Sequence, residues 1–233
     1  MKIYFETTYM KLAREAKAEA KRRFDFTMPS MPMVEACRAD DFDFFHPLID
    51  TGMLTEAQMH RAAERYYLGK TKSGVPMFWM IDDMLQPLDA HIGQGWISTL
   101  LKQREPLLRY WPVKHCLFGE HLLNSSEQAP ISIVESEISA VILSELLPET
   151  IWMAYAHTAN LTPFLLAPFV GRKVTIYPRT DPTMSNYVFF LDYRDLVLKR
   201  YDIDLHIDST LEYHTTQSQK ERCIDILDYI IGA

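Results

Sequence analysis

The sequence predicts an α/β protein with a mainly parallel sheet flanked by helices. The first observation is a series of short apolar runs, at residues 131–134, 151–154 and 174–177. The second is that segments with helical periodicity separate these runs from one another. Strands that alternate with helices favour right-handed crossovers and parallel pairing between the strands.

The composition sets the broad class of the protein. The chain has 233 residues, of which 48% are hydrophobic and 24% charged. These are ordinary globular values, and they exclude a disordered, collagen-like or disulfide-scaffold protein. Three cysteines lie far apart, which predicts free thiols in a reducing compartment. Because no stretch approaches the roughly 20 apolar residues of a membrane span, we expect a cytoplasmic protein without a membrane partner.

The charge is unevenly distributed along the chain. A net charge of −7 gives no general attraction to nucleic acid. Residues 11–23 nevertheless carry about +4, which leaves about −11 elsewhere, and residues 9–23 are predicted to form a helical arm. The candidates for a local, weak contact with DNA or RNA are Arg14, Lys17, Lys21, Arg22 and Arg23. A solvated helix face is the alternative, because Glu15 and Glu19 interrupt the basic run.

The N-terminal part, residues 1–112, is predicted to combine this arm with a small mixed α/β subdomain. Residues 27–35 are rich in proline and methionine, which indicates an extended connector. Thr55 is a candidate N-cap for a helix. The elements predicted in this part are a short helix over 40–49 ended by Pro47, a helix over 55–68, a hairpin with strands 66–68 and 75–81, and a short strand near 96–101.

The C-terminal part, residues 113–233, is predicted to form the parallel-sheet domain with a closing helix. Pro148 and Pro178 follow apolar segments and are expected to end them. The predicted strands are 131–134, 151–154, 174–177 and 202–207, and the predicted helical segments are 138–147, 163–169, 186–201 and 219–231.

Two polar triplets follow predicted strands, at residues 135–137 (Glu-Ser-Glu) and 179–181 (Arg-Thr-Asp). In an open parallel sheet, ligands bind beyond the carboxyl ends of the strands. If the two strands are neighbours, Glu135 and Asp181 converge on one crevice. Such a carboxylate pair suits Mg²⁺, or one carboxylate can serve as a general acid or base. Glu135 is thus the candidate catalytic residue, and Asp181, with Glu135, the candidate metal ligand. Stabilisation of a helix N-terminus is the alternative role for such acidic residues.

A second group of chemistry-bearing residues, His115, Cys116 and His121, is close in sequence. A closed zinc site needs about four ligands, and no second cluster is evident in the sequence. We therefore expect these residues to have a structural role, with His121 at the edge of a packed element beside Phe118 and Leu122.

Four stretches of the sequence resemble a known family. They read Phe-Trp-Met-Ile-Asp at 78–82, Cys-Leu-Phe-Gly-Glu-His-Leu-Leu at 116–123, Ile-Val-Glu-Ser-Glu at 133–137 and Tyr-Pro-Arg-Thr-Asp-Pro at 177–182. The chain resembles the TOPRIM domain. More closely, it resembles an uncharacterised bacterial family of primase-like TOPRIM proteins associated with mobile elements. The resemblance spans about residues 65–230.

The resemblance implies a role for Glu135 and an altered metal site. In active TOPRIM proteins the glutamate after the first strand is an acid/base or a metal ligand, and Glu135 matches it. A later Asp-x-Asp pair holds divalent metal, but here Arg179 replaces its first aspartate and only Asp181 matches. Arginine cannot ligate a cation, so we expect Arg179 to pair with Glu135 or Asp181 in the space of the metal.

Glu137 and His157 also belong to the altered site. Ile138 stands where the close family commonly has lysine, directly after Glu137. Residues 155–158, which include His157, replace a glycine-rich turn, so the backbone loses the freedom needed for close approach to a phosphate. The site residues are therefore expected to bind without catalysing a reaction.

The function implied by the resemblance is nucleic-acid-related. We expect an accessory or primase-like component of DNA replication or mobile-element maintenance, with DNA, RNA or a replication or mobile-element protein as partner. No cofactor is expected, and Mg²⁺ would enter only if the site were active in phosphoryl transfer. Two alternatives stay open. One is a protein-interaction module without nucleic-acid binding, which the acidic net charge supports, and the other is a still-active metal-dependent nucleotidyl transferase or nuclease.

Overall fold

The computed structural model describes residues 29–93, 95–104, 115–158 and 161–232. The predicted arm at 9–23, with its candidate nucleic-acid contacts Arg14, Lys17, Lys21, Arg22 and Arg23, lies outside these residues. The predicted boundary between residues 112 and 113 also lies outside them. No helix within the described ranges combines the length and the apolar character needed to cross a membrane.

The N-terminal part of the described chain is built on an antiparallel sheet. Its strands are β1 (Gly69–Lys70), β2 (Pro76–Ile81), β3 (Pro87–Ile92) and β4 (Gly95–Trp96), and each pairs with the next one along the chain. The helices are α1 (Met31–Ala36), α2 (His46–Asp50) after a 3-10 turn at Asp43–Phe45, α3 (Glu56–Arg65) and α4 (Ile97–Arg104). This arrangement is the mixed α/β subdomain that the sequence predicts.

The C-terminal part holds a parallel sheet in the order β6-β5-β7-β8. Its strands are β5 (Ile131–Val134), β6 (Ile151–Ala154), β7 (Lys173–Ile176) and β8 (Asp204–Ile207). The helices are α5 (Glu137–Leu146), α6 (Ser185–Leu198), α7 (Thr210–His214), α8 (Gln217–Glu221) and α9 (Ile226–Ile231), with 3-10 helices at Glu120–Ser125 and Pro163–Phe169. The predicted α/β class with a helix-flanked parallel sheet is confirmed.

Burial on both faces explains why strands β5 and β6 are nearly all apolar, with Ser132 as the one polar residue in them. Every residue of β5 and β6 is buried. One face of the sheet packs against α5 through Val134 and Trp152, and the other packs against α6 through Ile133 and Met153. Parallel strands covered by helices on both sides read as continuous hydrophobic runs. The edge strand β8 instead alternates exposed and buried residues.

Helix α3 joins the N-terminal part to the parallel sheet. The predicted N-cap is confirmed, because Thr55 and Gln58 form a reciprocal capping box at its start. Near its other end, Arg61 and Arg65 reach the buried carboxylate of Glu145 on α5, at 2.8 and 3.0 Å. The buried side chains of α3 and α5 belong to one hydrophobic core, so the antiparallel and parallel parts of the chain pack together.

Two expectations that rested on proline are wrong. The segment over 27–35 is not extended throughout, since α1 begins at Met31. Pro47 does not end a helix but lies in the first turn of α2. Proline fits the first helical turn because the N–H that it lacks has no intrahelical partner there. The position of a proline relative to its neighbours therefore decides whether it starts or stops a helix.

Three further expectations need correction. The first strand of the hairpin is Gly69–Lys70 and not residues 66–68, because Tyr66 ends α3 and Tyr67 adopts a positive φ of 52°. The strand expected near 96–101 consists only of β4, and α4 follows it at once. The closing helix expected over 219–231 is interrupted at Cys223, where a φ of 52° separates α8 from α9. Helix α7 and strand β3 are additional elements that sequence periodicity did not reveal.

Gly119 is required by both its backbone and its surroundings. It has a φ of 87°, in the left-handed region that favours glycine. A Cβ at this position would lie 3.0 Å from the carbonyl oxygen of Trp152 and 3.1 Å from the ring of Tyr66. The hydroxyl of Tyr66 donates to that same carbonyl at 2.7 Å, so neither residue can move away from the added Cβ without straining this hydrogen bond.

We therefore expect Gly119→Ala to lower the free energy of unfolding by about 2 kcal/mol. Gly74→Ala is the matched control, since Gly74 has a φ of 84° but no atom of the described residues within 4 Å of its added Cβ. The control should cost only about 1 kcal/mol, from backbone strain. Urea denaturation of the two variants measures the difference, and equal losses would contradict the role of the Trp152 and Tyr66 contacts.

Candidate functional site

The strand order creates a natural binding position between β5 and β7. From β5 the chain passes to β6 on one side, and then crosses to β7 on the other side of β5. Such a switch point is where open α/β sheets bind ligands, at the carboxyl ends of the strands. The parallel register pairs Ile133 with Ile176, and the N–H of Tyr177 donates to the carbonyl of Ile133. The condition set by the sequence is met: the two polar triplets follow neighbouring strands.

Arg179 reaches Glu135 across this switch point. Its Nη1 lies 3.8 Å from Oε2 of Glu135, an ion-pair distance longer than a hydrogen bond. The Nε of Arg179 donates to the backbone carbonyl of Cys223 at 2.8 Å, which helps to fix the guanidinium in place. Of the two pairings expected for Arg179, the structure shows the one with Glu135.

Glu135 holds its proton more firmly than an ordinary glutamate. Burial raises the pKa of its carboxyl group, and the charges of Arg179 and His157 lower it only in part. The nearby carboxylates of Asp225 and Glu137 raise the pKa further. A half-buried acid with a raised pKa, set between cations and other acids, is a typical functional environment. We call Glu135, His157, Arg179 and Asp225 the strand-end site.

The carboxylate of Asp181 accepts hydrogen bonds from the start of α6. Stabilisation of a helix N-terminus is the alternative role that the sequence indicates for such acidic residues. Oδ1 accepts hydrogen bonds from the N–H of Thr183 (2.8 Å), the hydroxyl of Thr183 (2.6 Å) and the N–H of Ser185 (3.1 Å). Oδ2 accepts from the N–H of Asn186 at 2.8 Å. Burial acts to raise the pKa of Asp181, but these hydrogen bonds outweigh it and hold the pKa well below the usual range. Asp181 therefore caps the first turn of α6 from outside the helix, since Met184 occupies the N-cap position.

These residues do not fit Mg²⁺. Both oxygens of Asp181 are occupied by N–H and O–H donors, and a guanidinium stands beside Glu135. No group of three or more His, Cys, Asp or Glu side chains among the described residues is arranged to hold a metal ion. Asp181 as a metal ligand stays a prediction, and the role that its contacts show is to cap the start of α6. An aspartate followed closely by Thr183 and Ser185, ahead of a helical segment, is the sequence signal for that role.

Glu137 and His157, the other residues assigned to the altered site, differ in exposure and in the groups on which they act. His157 is exposed after β6, and its charge acts on Glu135. Glu137 is buried, and its Oε1 lies 2.7 Å from Nδ1 of His91 on β3. Glu137 therefore connects α5 to the antiparallel sheet as well as contributing negative charge beside Glu135.

Sequence reasoning missed His91, Asp225 and Ser139. The hydroxyl of Ser139 donates to Oδ2 of Asp225 at 2.5 Å, and Oδ1 of Asp225 accepts from the N–H of Asp228 to cap α9. The spacing of Asp225 and Asp228 is a local capping signal, which could have located the start of α9. Nothing local indicates that Asp225 approaches Glu135 or that His91 binds Glu137.

The contact between His91 and Glu137 predicts a pH dependence of stability. The hydrogen bond to Glu137 raises the pKa of His91, burial opposes this, and the charges of Glu137 and Asp89 add to the rise. Because the folded pKa exceeds the unfolded value, the stabilisation is complete below about pH 6.5 and is lost as the pH rises through the folded pKa.

We expect the free energy of unfolding to fall by about 1 kcal/mol from this contact as the pH rises to about 9. Urea denaturation across this range should show a smaller decline for His91→Gln than for the wild-type chain. His206→Gln is the control, because His206 is exposed on β8. An unchanged pH profile for His91→Gln would contradict the prediction.

Comparison with known proteins places the chain in a family. No curated protein matches the sequence. A domain of unknown function, DUF6371, matches residues 43–180. The matched region includes Glu135, His157 and Arg179 and ends just before Asp181. Because it covers more than half of the 233 residues, the chain belongs to the family of the domain of unknown function DUF6371.

Proposed function

We propose that this chain is a primase-like, TOPRIM-like accessory module that acts in the cytoplasm, in DNA replication or mobile-element maintenance. Its strand-end site binds phosphate groups of DNA or RNA and carries out no metal-dependent reaction. The observation that supports this proposal is the position of Arg179, which faces Glu135 at the switch point between β5 and β7.

The guanidinium of Arg179 has the capacity to bind a phosphate. Arginine carries five N–H donors, and within the described part of the chain only the Nε donates to a carbonyl at hydrogen-bond distance, that of Cys223. The side chain is 44% exposed, and its ion pair with Glu135 is long. A phosphate can therefore approach the remaining donors in the two-pronged geometry that suits guanidinium.

The raised pKa of Glu135 favours the same ligand. Burial makes ionisation of Glu135 costly, and an approaching phosphate would raise that cost through like-charge repulsion. Once protonated, Glu135 loses its negative charge and gains an O–H donor. The strand-end site can thus change from a paired carboxylate to a neutral hydrogen-bond donor as the anion arrives.

The overall charge limits how strongly nucleic acid can bind. With 31 acidic against 24 basic side chains, the chain lacks the positive field that steers DNA or RNA from a distance. Binding is therefore expected to be local, weak and strongly dependent on salt.

The test is binding of a fluorescein-labelled single-stranded oligonucleotide to the full chain, from about 20 mM to 200 mM salt. Arg179→Gln should weaken binding about fivefold to tenfold and reduce the salt slope by about one. Arg194→Gln is the control, because it removes the same charge from α6, where Arg194 contacts Asp195. No binding of the wild-type chain at low salt, or equal losses in both variants, would contradict the proposal.

A protein-interaction module is the second candidate, and α6 supplies the observation that favours it. This helix exposes Val188, Phe189 and Leu196, with 51%, 42% and 52% of their surface accessible. Large apolar side chains grouped on one exposed helix are typical of surfaces that bind another protein. The oligonucleotide assay separates the two candidates, because this alternative predicts no binding even at low salt.

A further inference from the structure

A cavity of about 570 Å³ lies away from the strand-end residues described above. It forms where the turn between β2 and β3, the segment from His115 to Glu120 and the 3-10 helix Pro163–Phe169 meet. Its volume is in the range of sites for small organic molecules. Two of the four stretches singled out in the sequence converge here, since Asp82 ends one of them and Cys116 and Glu120 belong to another.

Three carboxylate side chains line this cavity: those of Asp82, Asp83 and Glu120. The described residues of its wall include neither lysine nor arginine, and the one basic side chain among them is that of His115. Glu120 is 4% exposed, and its Oε2 accepts the N–H of Leu117 at 3.1 Å, which fixes the carboxyl group in place. The cavity therefore presents a positioned acid together with two more acids from the neighbouring turn.

The rest of the wall is largely apolar. Leu88, Leu165 and Pro168 contribute hydrocarbon surface, and so does the ring of Phe164. Phe164 is 71% exposed, although its neighbours Leu165 and Leu166 are buried in the core. A pocket with apolar walls and a few fixed polar groups is the usual form of a small-molecule site.

Two chemically different groups respond to the negative charge in the cavity. Burial raises the pKa of Glu120 to about 7, and the charges of Asp83 and Asp82 contribute to the rise. Burial also raises the pKa of the Cys116 thiol, with contributions from Glu120, Asp82 and Asp83. The carboxylates therefore repel one another and disfavour ionisation of Cys116. A bound cation would offset this repulsion.

We propose that this cavity binds a small organic cation with an aromatic body, of the class of protonated arylalkylamines. The ammonium group faces the part of the wall that carries the carboxylates of Asp82, Asp83 and Glu120, and the ring packs on Phe164 and Leu165. An ammonium near the Phe164 ring also gains a cation–π contact. A bare metal ion fits poorly, because no three ligating side chains of the described wall are grouped to hold one.

Titration of the full chain with three monosubstituted benzenes of similar size tests the proposal by calorimetry. Benzylamine carries the cation, benzyl alcohol is neutral and benzoate is an anion. Benzylamine should bind about tenfold more tightly than benzyl alcohol, and benzoate should bind least. Equal affinity for benzylamine and benzyl alcohol would overturn the proposal, and so would binding of Mn²⁺ in competition with benzylamine.

Variants locate the binding to this cavity. Asp83→Asn and Phe164→Ala alter exposed side chains, so both should fold, and each should weaken benzylamine binding about fivefold. Glu120→Gln should weaken it further, and if that variant does not fold, the other two still decide. Asp195→Asn is the control, since it removes a charge that is 61% exposed on α6. Wild-type affinity in both Asp83→Asn and Phe164→Ala would overturn the assignment.

Discussion

Arg179→Asp is expected to convert the strand-end site from one that attracts anions into one that attracts divalent cations. The substitution changes the local charge by two units and places a second carboxylate beside Glu135, near Asp225. Oligonucleotide affinity should fall about tenfold or more, because a phosphate contact is replaced by repulsion. The variant should bind Mn²⁺ with a dissociation constant of about 1 mM or below, which oxygen ligands of this number can provide.

Calorimetric titration with Mg²⁺ and Mn²⁺ measures this gain against the wild-type chain. Arg194→Asp makes the same change of charge on α6 and should gain no metal affinity. If Arg179→Asp gains none either, the strand-end site is not simply a metal site that lost one ligand. If the wild-type chain binds Mn²⁺ tightly and loses it in Glu135→Gln or Asp181→Asn, the still-active metal-dependent enzyme replaces our proposal.

Asp181→Ala is expected to lower the free energy of unfolding by about 3 kcal/mol. The substitution removes an acceptor for four hydrogen bonds, three of them from the backbone N–H groups of Thr183, Ser185 and Asn186. The start of α6 then has no side chain to satisfy these donors. Asp181→Asn keeps one acceptor oxygen and should lose about half as much. Urea denaturation at pH 7 measures both losses.

The pH dependence of the Asp181 effect has a defined sign. The folded pKa of Asp181 lies below its unfolded value of about 3.9. Its stabilisation is therefore present above about pH 4 and disappears as the pH falls through the folded pKa. Asp195→Asn, at an exposed position, should leave stability nearly unchanged. A wild-type level of stability in Asp181→Ala at pH 7 would contradict the capping role.

The parallel sheet could be predicted because its strands carry a strong local signal. Strands β5 and β6 are short runs in which Ser132 is the one polar residue, and burial on both faces favours that pattern. The antiparallel sheet was harder to predict from the sequence, because β1 and β4 are two residues long and β3 contains Asp89 and His91. Asp89 is buried there only because the N–H groups of Ala90 and Ser98 and the hydroxyl of Ser98 donate to it. Hydrogen bonds from the next residue and from one nine positions away leave no periodic signal.

The sequence located the residues of the candidate site, but it left open whether the carboxylate of Asp181 binds a metal or caps a helix. A carboxylate after a strand can ligate a metal or cap the next helix, and the residue type is identical in both cases. Glu135 and Arg179 meet as expected because the strands before them are neighbours. For Asp181, the turn through Thr183 brings backbone donors onto its oxygens, and only the folded turn decides this.

The sequence by itself determined the α/β class, the main strands and helices and the polar residues that follow the strands. It could do so because hydrophobic periodicity and capping act over a few residues. Only the tertiary structure decided that His91 contacts Glu137, 46 residues away, and that Ser139 contacts Asp225, 86 residues away. It also decided that Asp82, Glu120 and Phe164 line one cavity. These contacts arise from how the two sheets and their helices pack. Packing brings together residues that are far apart in the chain, and no local sequence pattern predicts such contacts.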